Sequence, residues 1–278
     1  MKFGFVTCVQ LGLACMEAIY AAGGKLDLAI TLTDDRAQTK SGRVYIDGFC
    51  AEHHIDLVKI RHINDEDAIK AITERGIDWL FIIGWSQIAG QNALDAPKRG
   101  VLGIHPTLLP EGRGRAPIPN AILKGLKQTG VTLFKLDAGV DTGEILAQEI
   151  LPLAEDETAT TLYKRVNEAH KAIIGNIWQS LVDDTLELRK QDESKATIWE
   201  GRAPEDGRIT WGMTVEDVDR LVRATTRPYP GAFVKREDGS ILRVWSGRIS
   251  DIDHTIADRS ELIELSDGVY EALDFERE

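Results

Sequence analysis

Residues 100–144 read GVLGIHPTLLPEGRGRAPIPNAILKGLKQTGVTLFKLDAGVDTGE. Residues 101–104 form a short, continuous apolar run, the shape of a buried strand, and His105-Pro106 ends it. A titratable ring at the C-terminal end of a buried strand stands where open α/β sheets place their ligands. Residues 131–136 are a second such run, and Asp137, Gly139, Asp141 and Gly143 follow as an acidic turn. If the two strands are neighbours, His105 and Asp141 meet at one edge of the sheet. A carboxylate beside an imidazole orients it for general acid–base chemistry. Each residue alone has a plainer reading, a boundary histidine and an ordinary Asp-x-Gly turn. The loop between them holds four prolines and two arginines, which makes the pair harder to dismiss.

Upstream, residues 2–7 read as a strand, 11–22 as a helix and 26–32 as a second strand. That order predicts a right-handed crossover and a parallel sheet. No G-x-G-x-x-G lies between the first strand and helix, so a dinucleotide site is unsupported. Residues 33–42 are polar and turn-rich, as an exposed loop is. A helix at 47–53 and a strand at 56–60 follow. Asn64 is the expected cap of a helix to Glu74, and 79–83 reads as a central strand with residues 84–87 leaving its C-terminal end. His53-His54 reads as a solvated helix end.

Downstream, a short helix is expected at 116–125, opened by Pro117 and Pro119 where a missing N–H costs least. Strands at 131–136 and 145–151 flank the acidic turn. Residues 158–181 read as a long helix with Leu162, Val166, Ala169, Ile173, Ile177 and Leu181 on one face. The expected division is a catalytic domain at 1–185, a polar linker at 186–200 and a β-rich domain at 201–278. In the last of these a helix at 215–224 and short strands at 232–235, 242–245 and 262–264 are expected.

The 278 residues are 43% hydrophobic and 28% charged, with a formal net charge of −12. An acidic chain does not attract polyanions by its overall field, so no nucleic-acid partner is expected. Cys8, Cys15 and Cys50 lack paired spacing and read as reduced, buried thiols. No 18-residue apolar span occurs and the start lacks the form of a signal peptide, so the expectation is a cytoplasmic protein without a membrane segment.

HPTLLP, GRGRAP and TGVTLFKLDAGVDTGEILAQ together resemble the signature of formyltransferases that use N10-formyltetrahydrofolate. RAPEDGRITW and RATTRPYPGAF resemble the C-terminal domain of methionyl-tRNA and sugar-nucleotide formyltransferases. The resemblance implies a Rossmann-like, mostly parallel sheet flanked by helices, with a small C-terminal β-rich, OB-like barrel. It implies His105 as acid/base and Asp141 as the group that tunes it. It places backbone contacts to the folate at Gln87, Ile88 and Ala89, with the turn Asp137, Ala138, Gly139 and Val140 closing the other side. Arg115 matches an arginine near the cofactor, although a loop-anchoring salt bridge is its plainer reading. No metal is required. Relatives carry an Asn where this chain has Gly103, and that Asn donates to the forming oxyanion. Loss of such a donor costs ~3 kcal/mol. Protonated His105 with a water, another donor such as Asn120, or an enzyme that is impaired or has changed its reaction are the three readings.

The acceptor expected is a nucleotide-linked amino sugar. Residues 200–278 carry 18 Asp/Glu and 11 Lys/Arg, a difference of −7, whereas a tRNA-gripping domain should be basic. ILRVWSGRI also resembles the same strand in the enzyme that formylates UDP-4-amino-4-deoxy-arabinose. A methionyl-tRNA formyltransferase, a binding module without turnover and a formyl-folate hydrolase are the alternatives. A homodimer is the expected assembly.

Overall fold

The computed structural model describes residues 1–37, 43–250 and 260–278. The chain packs as two compact units. The first comprises Met1–Arg113, Gly130–Ile150 and Val166–Thr197, and the second Gly114–Thr129, Leu151–Arg165 and Ile198–Glu278.

In chain order the first half contains β1 (Phe3–Val6), α1 (Gln10–Ala21), β2 (Leu28–Leu32), α2 (Asp34–Ala37), α3 (Asp47–Glu52), β3 (Asp56–Ile60), α4 (Glu66–Arg75), β4 (Trp79–Ile82), α5 (Gln91–Asp95) and β5 (Gly100–His105). There follow β6 (Arg113–Gly114), α6 (Pro117–Leu123), β7 (Gln128–Lys135), β8 (Ile145–Pro152), α7 (Ala159–Val182) and β9 (Ile198–Trp199). The chain ends with α8 (Val215–Thr225), β10 (Ala232–Lys235), β11 (Ile241–Ser250), β12 (Glu261–Leu265) and β13 (Gly268–Arg277). Of the expected loop at 33–42, Asp34–Ala37 is a helical turn and 38–42 lie outside the described residues.

Seven strands form one sheet in the order β3-β2-β1-β4-β5-β7-β8. β1 pairs parallel with β2 and β4, β2 with β3, and β4 with β5, as the strand–helix–strand pattern requires. The order reverses between β1 and β4, the switch point beside which sheets of this kind take ligands. Alternation along β1 divides the core. Phe3 and Phe5 face one way, where Trp178 of α7 lies 4.6 Å from Phe3 and Phe81 lies 5.7 Å from Phe5. Val6 faces the other way, with Leu28, Ile30, Leu80 and Val101, and α4 covers that side with Ala68, Ala71 and Ile72. α1 approaches the end of β1 so closely that a Cβ on Gly12 would fall 1.8 Å from Thr7 Oγ1, and only glycine fits there.

In the second unit β10-β11-β13-β12 form a four-stranded antiparallel sheet. α8 begins at Thr214, whose hydroxyl accepts from Asp217 N at 3.1 Å. It lays Val218, Leu221 and Val222 on Val244, Tyr270 and Ala272 of the sheet. Sequence patterning shortens β11 and misses β13 altogether. The register slips between Val244, Ser246 and Gly247, so alternation is broken at that point. Glu271 is 1% exposed on β13 because Arg248 Nε donates to it at 2.7 Å, a buried charge that reads as polar surface in a sequence.

His170 on α7 is 3% exposed, and its Nδ1 donates to Val166 O at 2.7 Å. Burial, assisted by the nearby His105, pushes its pKa down to about 4. Below the ordinary histidine value of ~6.5 the unfolded chain binds a proton that the folded chain refuses until about pH 4. Stability held above pH 6.5 is therefore lost as pH falls toward 4, by up to ~3 kcal/mol. His170→Gln should flatten the fall in unfolding midpoint between pH 7.5 and 4.5. An unchanged pH slope in the variant would show that another group carries the acid sensitivity.

Candidate active site

β7 pairs with β5 antiparallel, with Leu102 opposite Lys135, Gly103 opposite Phe134 and His105 opposite Thr132. The two strands are neighbours, but their C-terminal ends point in opposite directions. Lys135 stands three residues short of His105 in this register, ~10 Å along the strand. Juxtaposition therefore comes from the turn, which folds back until Asp141 Oδ2 lies 3.6 Å from His105 Nδ1.

The turn residues dictate that course. Asp137 Oδ1 accepts from Gly139 N at 3.0 Å and from Thr142 Oγ1 at 2.7 Å, an Asx turn that reverses the chain. Asp141 takes φ +55°, a left-handed conformation that Asp tolerates better than most residues. A Cβ on Gly143 would lie 1.6 Å from Lys135 O, so the returning strand can close only with glycine there. Lys135 N then donates to Glu144 O at 2.8 Å and β8 begins.

His105 is 7% exposed, and its Nε2 lies 2.8 Å from Gly112 O. A carbonyl can only accept, so Nε2 carries hydrogen. Nδ1, on the Asp141 side, is then the nitrogen without hydrogen in the neutral ring. The loop between His105 and Gly112 is fixed from β7. Thr132 Oγ1 donates to Thr107 O at 2.7 Å and accepts from Leu109 N at 3.1 Å, while Gln148 Nε2 donates to Leu109 O at 2.8 Å.

The other residues singled out in the sequence fall into distinct settings. Gln87 Oε1 accepts from Ile63 N at 2.9 Å and its Nε2 donates to Arg61 O at 2.8 Å. Asn64 does not cap α4; Asp65 takes that position. Its amide instead donates to Ile88 O at 3.1 Å and accepts from Gly90 N at 2.7 Å. Residues 87–90 are thus pinned from behind while the Ile88 side chain is 86% exposed. Ala89 and Leu136 pack on the same buried cluster, which relates this loop to the start of the Asp137 turn. Ala138, Gly139 and Val140 are exposed at the tip of that turn. Arg115 belongs to the second unit, where its guanidinium lies over Gly201. Asn120 is not a spare donor, because its Nδ2 donates to Arg115 O at 3.1 Å and Glu200 O at 3.2 Å.

Gly103 has a packing reason. A Cβ there would lie 2.7 Å from Leu136 Cδ2 and 3.2 Å from its Cγ. Gly103 has no positive φ, so close approach and not backbone freedom explains the glycine. His53 is not merely a solvated helix end either, since its ring lies 4.1 Å from that of Tyr20.

Sequence reasoning missed Gln191, Arg113 and Glu193. Gln191 Nε2 donates to Asp141 O at 2.8 Å and Gly143 O at 2.7 Å. Arg113 donates to Gln191 and to Glu193, whose carboxyl that bonding holds below the usual range. The polar stretch around 191 carries no apolar period to mark it, and its contacts lie roughly fifty residues back along the chain. Among the described residues no group of three His, Cys, Asp or Glu side chains is placed to share an ion, and no helix is long and apolar enough to cross a membrane.

Comparison with known proteins gives the lineage. The chain is 29% identical over 253 residues to the methionyl-tRNA formyltransferase of Agathobacter rectalis, covering 90% of this chain and 81% of that protein. Its fold is similar to the N-formyltransferase from Helicobacter canadensis in complex with folinic acid and dTDP-3-aminofucose, with TM-score 0.72, 17% identity, and coverage of 99% of this chain and 100% of that one. It is also similar to the methionyl-tRNA formyltransferase from Clostridium thermocellum, with TM-score 0.59, 22% identity, and coverage of 90% and 94%. The formyl transferase model matches residues 27–177 and the model of its C-terminal domain matches residues 202–270. With the α/β sheet, the C-terminal antiparallel sheet and both models in agreement, the chain belongs to the formyl transferase family and is a formyl-transferring enzyme.

Proposed function

We propose that this enzyme transfers a formyl group from N10-formyltetrahydrofolate to the amino group of a nucleotide-linked amino sugar. The observation that carries the proposal is the His105–Asp141 geometry, with Nδ1 facing the carboxylate and Nε2–H engaged by Gly112. The folate supplies an activated formyl carbon on a nitrogen leaving group. The amine nitrogen bonds to that carbon, the bond from carbon to the folate nitrogen breaks, and a proton passes from the amine to the departing nitrogen. His105 Nδ1 is the atom assigned to move that proton, and Asp141 steadies the ring while it is charged.

The residues fit a folate. The loop at Gln87, Ile88 and Ala89 is anchored from behind by Asn64 and Gln87, which leaves an exposed rim. The tip Asp137, Ala138, Gly139 and Val140 is held in shape by its Asx turn and is itself exposed. We assign folate contacts to both. Arg115 stays in the proposal as a residue beside the bound substrates, with its anchoring role over Gly201 as the plainer alternative. We also read residues 1–185 as the catalytic domain, 186–200 as the connection and 201–278 as the C-terminal domain, which the two family models support. A homodimer remains the expected assembly.

Two observations favour a sugar nucleotide as acceptor. Residues 200–278 have 18 acidic and 11 basic residues, which repels a polyanion. The Helicobacter canadensis relative binds dTDP-3-aminofucose, and its likeness in fold exceeds that of the Clostridium thermocellum enzyme. Methionyl-tRNA is the second reading, favoured by 29% identity over 90% of the chain. Incubation with N10-formyltetrahydrofolate and a panel of amino-sugar nucleotides, with methionyl-tRNA in parallel, separates the two by the 28 Da mass gain of a formyl group (roughly, replacing H by CHO). Product on tRNA alone would overturn the sugar reading, and release of formate without acceptor product would make the enzyme a hydrolase.

His105→Ala should abolish turnover without unfolding the chain; a kcat near wild type would remove the acid–base assignment. Asp141→Asn should lower kcat more than it weakens folinic acid binding, and it should change the pH–rate profile. Gly103→Asn should be neutral or harmful, because Leu136 already fills the space an Asn would enter. A gain of ~10-fold or more in kcat/KM, ~1.4 kcal/mol at the transition state, would show instead that the chain is a weakened relative lacking its oxyanion donor.

A further inference from the structure

The carboxylate that faces His105 is carried on a residue in a left-handed conformation, at the exposed end of a turn. Beyond the Asx turn, the backbone of Asp141 is held by a side chain fifty residues further along the chain. Gln191 Nε2 donates to two carbonyls of the turn, Asp141 O at 2.8 Å and Gly143 O at 2.7 Å. Its Oε1 accepts from Arg113 Nε at 3.1 Å and Nη2 at 2.8 Å. Arg113 is 5% exposed and is closed off on its far side by Glu193, with Nη1 to Oε2 at 3.0 Å and Nη2 to Oε1 at 2.6 Å.

The amide can point only one way. Two carbonyl oxygens accept and never donate, and a guanidinium donates and never accepts. A flipped Gln191 would set oxygen against oxygen twice and N–H against N–H twice. All four bonds therefore agree on one orientation, and the orientation is locked by a buried charge. The Glu193 end is solvent-facing and contributes little alone. The strength of the arrangement lies at the buried Arg113, whose guanidinium needs acceptors once out of water.

We propose that Gln191, locked by Arg113, is the positioning residue that sets the Asp141 carboxylate opposite His105 Nδ1. The same Arg113 stands one residue from Gly112, whose carbonyl fixes the other face of the ring. One arginine thus joins the segment that sets Nε2 to the turn that sets the group facing Nδ1. This inference rests on the reading of His105 and Asp141 as the working pair, and its test separates the two.

The experiment records the ring nitrogen signals of His105 by NMR against pH in wild type, Asp141→Asn, Gln191→Met and the double variant, with folinic acid binding measured on each. Gln191→Met should reproduce half or more of the change that Asp141→Asn makes in the His105 titration curve. It should add little in the Asp141→Asn background, because it acts through that carboxylate. Gln191→Ala removes the same four bonds without adding a charge, so it should match Gln191→Met, and it stands in should Gln191→Met fail to fold. If Asp141→Asn moves the curve and neither Gln191 variant does, the positioning role is wrong while the pair survives. Equal effects of Gln191→Met with and without Asp141 overturn it too, since a general structural role would behave that way. A curve unmoved by Asp141→Asn removes the pair itself, and the positioning role with it.

Discussion

Antiparallel pairing of β7 on β5 is the constraint from which the site follows. It sets Thr132 beside His105, where its hydroxyl bonds both Thr107 and Leu109 and so shapes the loop that brings Gly112 back to the ring. It also sets Phe134 opposite Gly103 and delivers Leu136 onto that glycine. Because the strands run oppositely, the chain leaves β7 at the wrong end of β5 and must return. The Asx turn at Asp137, the left-handed Asp141 and the glycine at 143 are what that return requires. A parallel β7 would have brought its own end to His105 and needed none of them.

Electrostatics at the site are shaped by what each nitrogen of His105 can still do. Nε2 is committed to a carbonyl, so the ring cannot shuttle a proton through both ends without breaking that bond. On the proposed acid–base reading, the chemistry of His105 is confined to Nδ1, on the side where the carboxylate lies. His170, held neutral by burial in the interior of α7, adds no competing charge near the ring at neutral pH. On that reading the arrangement would favour one protonation route over several.

Much of this was legible in the sequence, and the reasons are specific. β1, β2, β4, β5 and α7 are marked by unbroken apolar runs or by one apolar helical face, because burial on the sheet demands it. His105 stands where a breaker ends one apolar run and Asp141 in the acidic turn that follows another, so both show against a plain background. Direction of pairing does not show: an apolar run looks the same parallel or antiparallel, and the fold-back of the turn could not be read from it. β13 was invisible because Glu271 is buried with Arg248 and the register slips on β11, so neither polarity nor alternation reports burial there. Asn64 looked like a helix cap because cap and cross-loop bridge use the same amide chemistry. Gln191 and Glu193 sit in a stretch whose polarity signals a solvated connection, and only three-dimensional contact shows one of them reaching Asp141.

Gly103 joins these threads. The family resemblance implies an amide donor at position 103, where this chain packs Leu136 against a bare backbone and leaves no room for a Cβ unless Leu136 moves. Asn120 cannot take over while both its donor hydrogens are held by Arg115 and Glu200 carbonyls. On the proposed reading, the oxyanion would then be served by a proton on His105 Nδ1, with water to help. Under that proposal the ring has a double duty: the proton it takes from the amine also steadies the oxygen before passing to the folate nitrogen. A ring proposed to do both depends more heavily on the carboxylate that faces it. The bare backbone at Gly103 and the fourfold bonding of Gln191 then belong to one argument: where fewer groups stabilise a transition state, the position of each matters more.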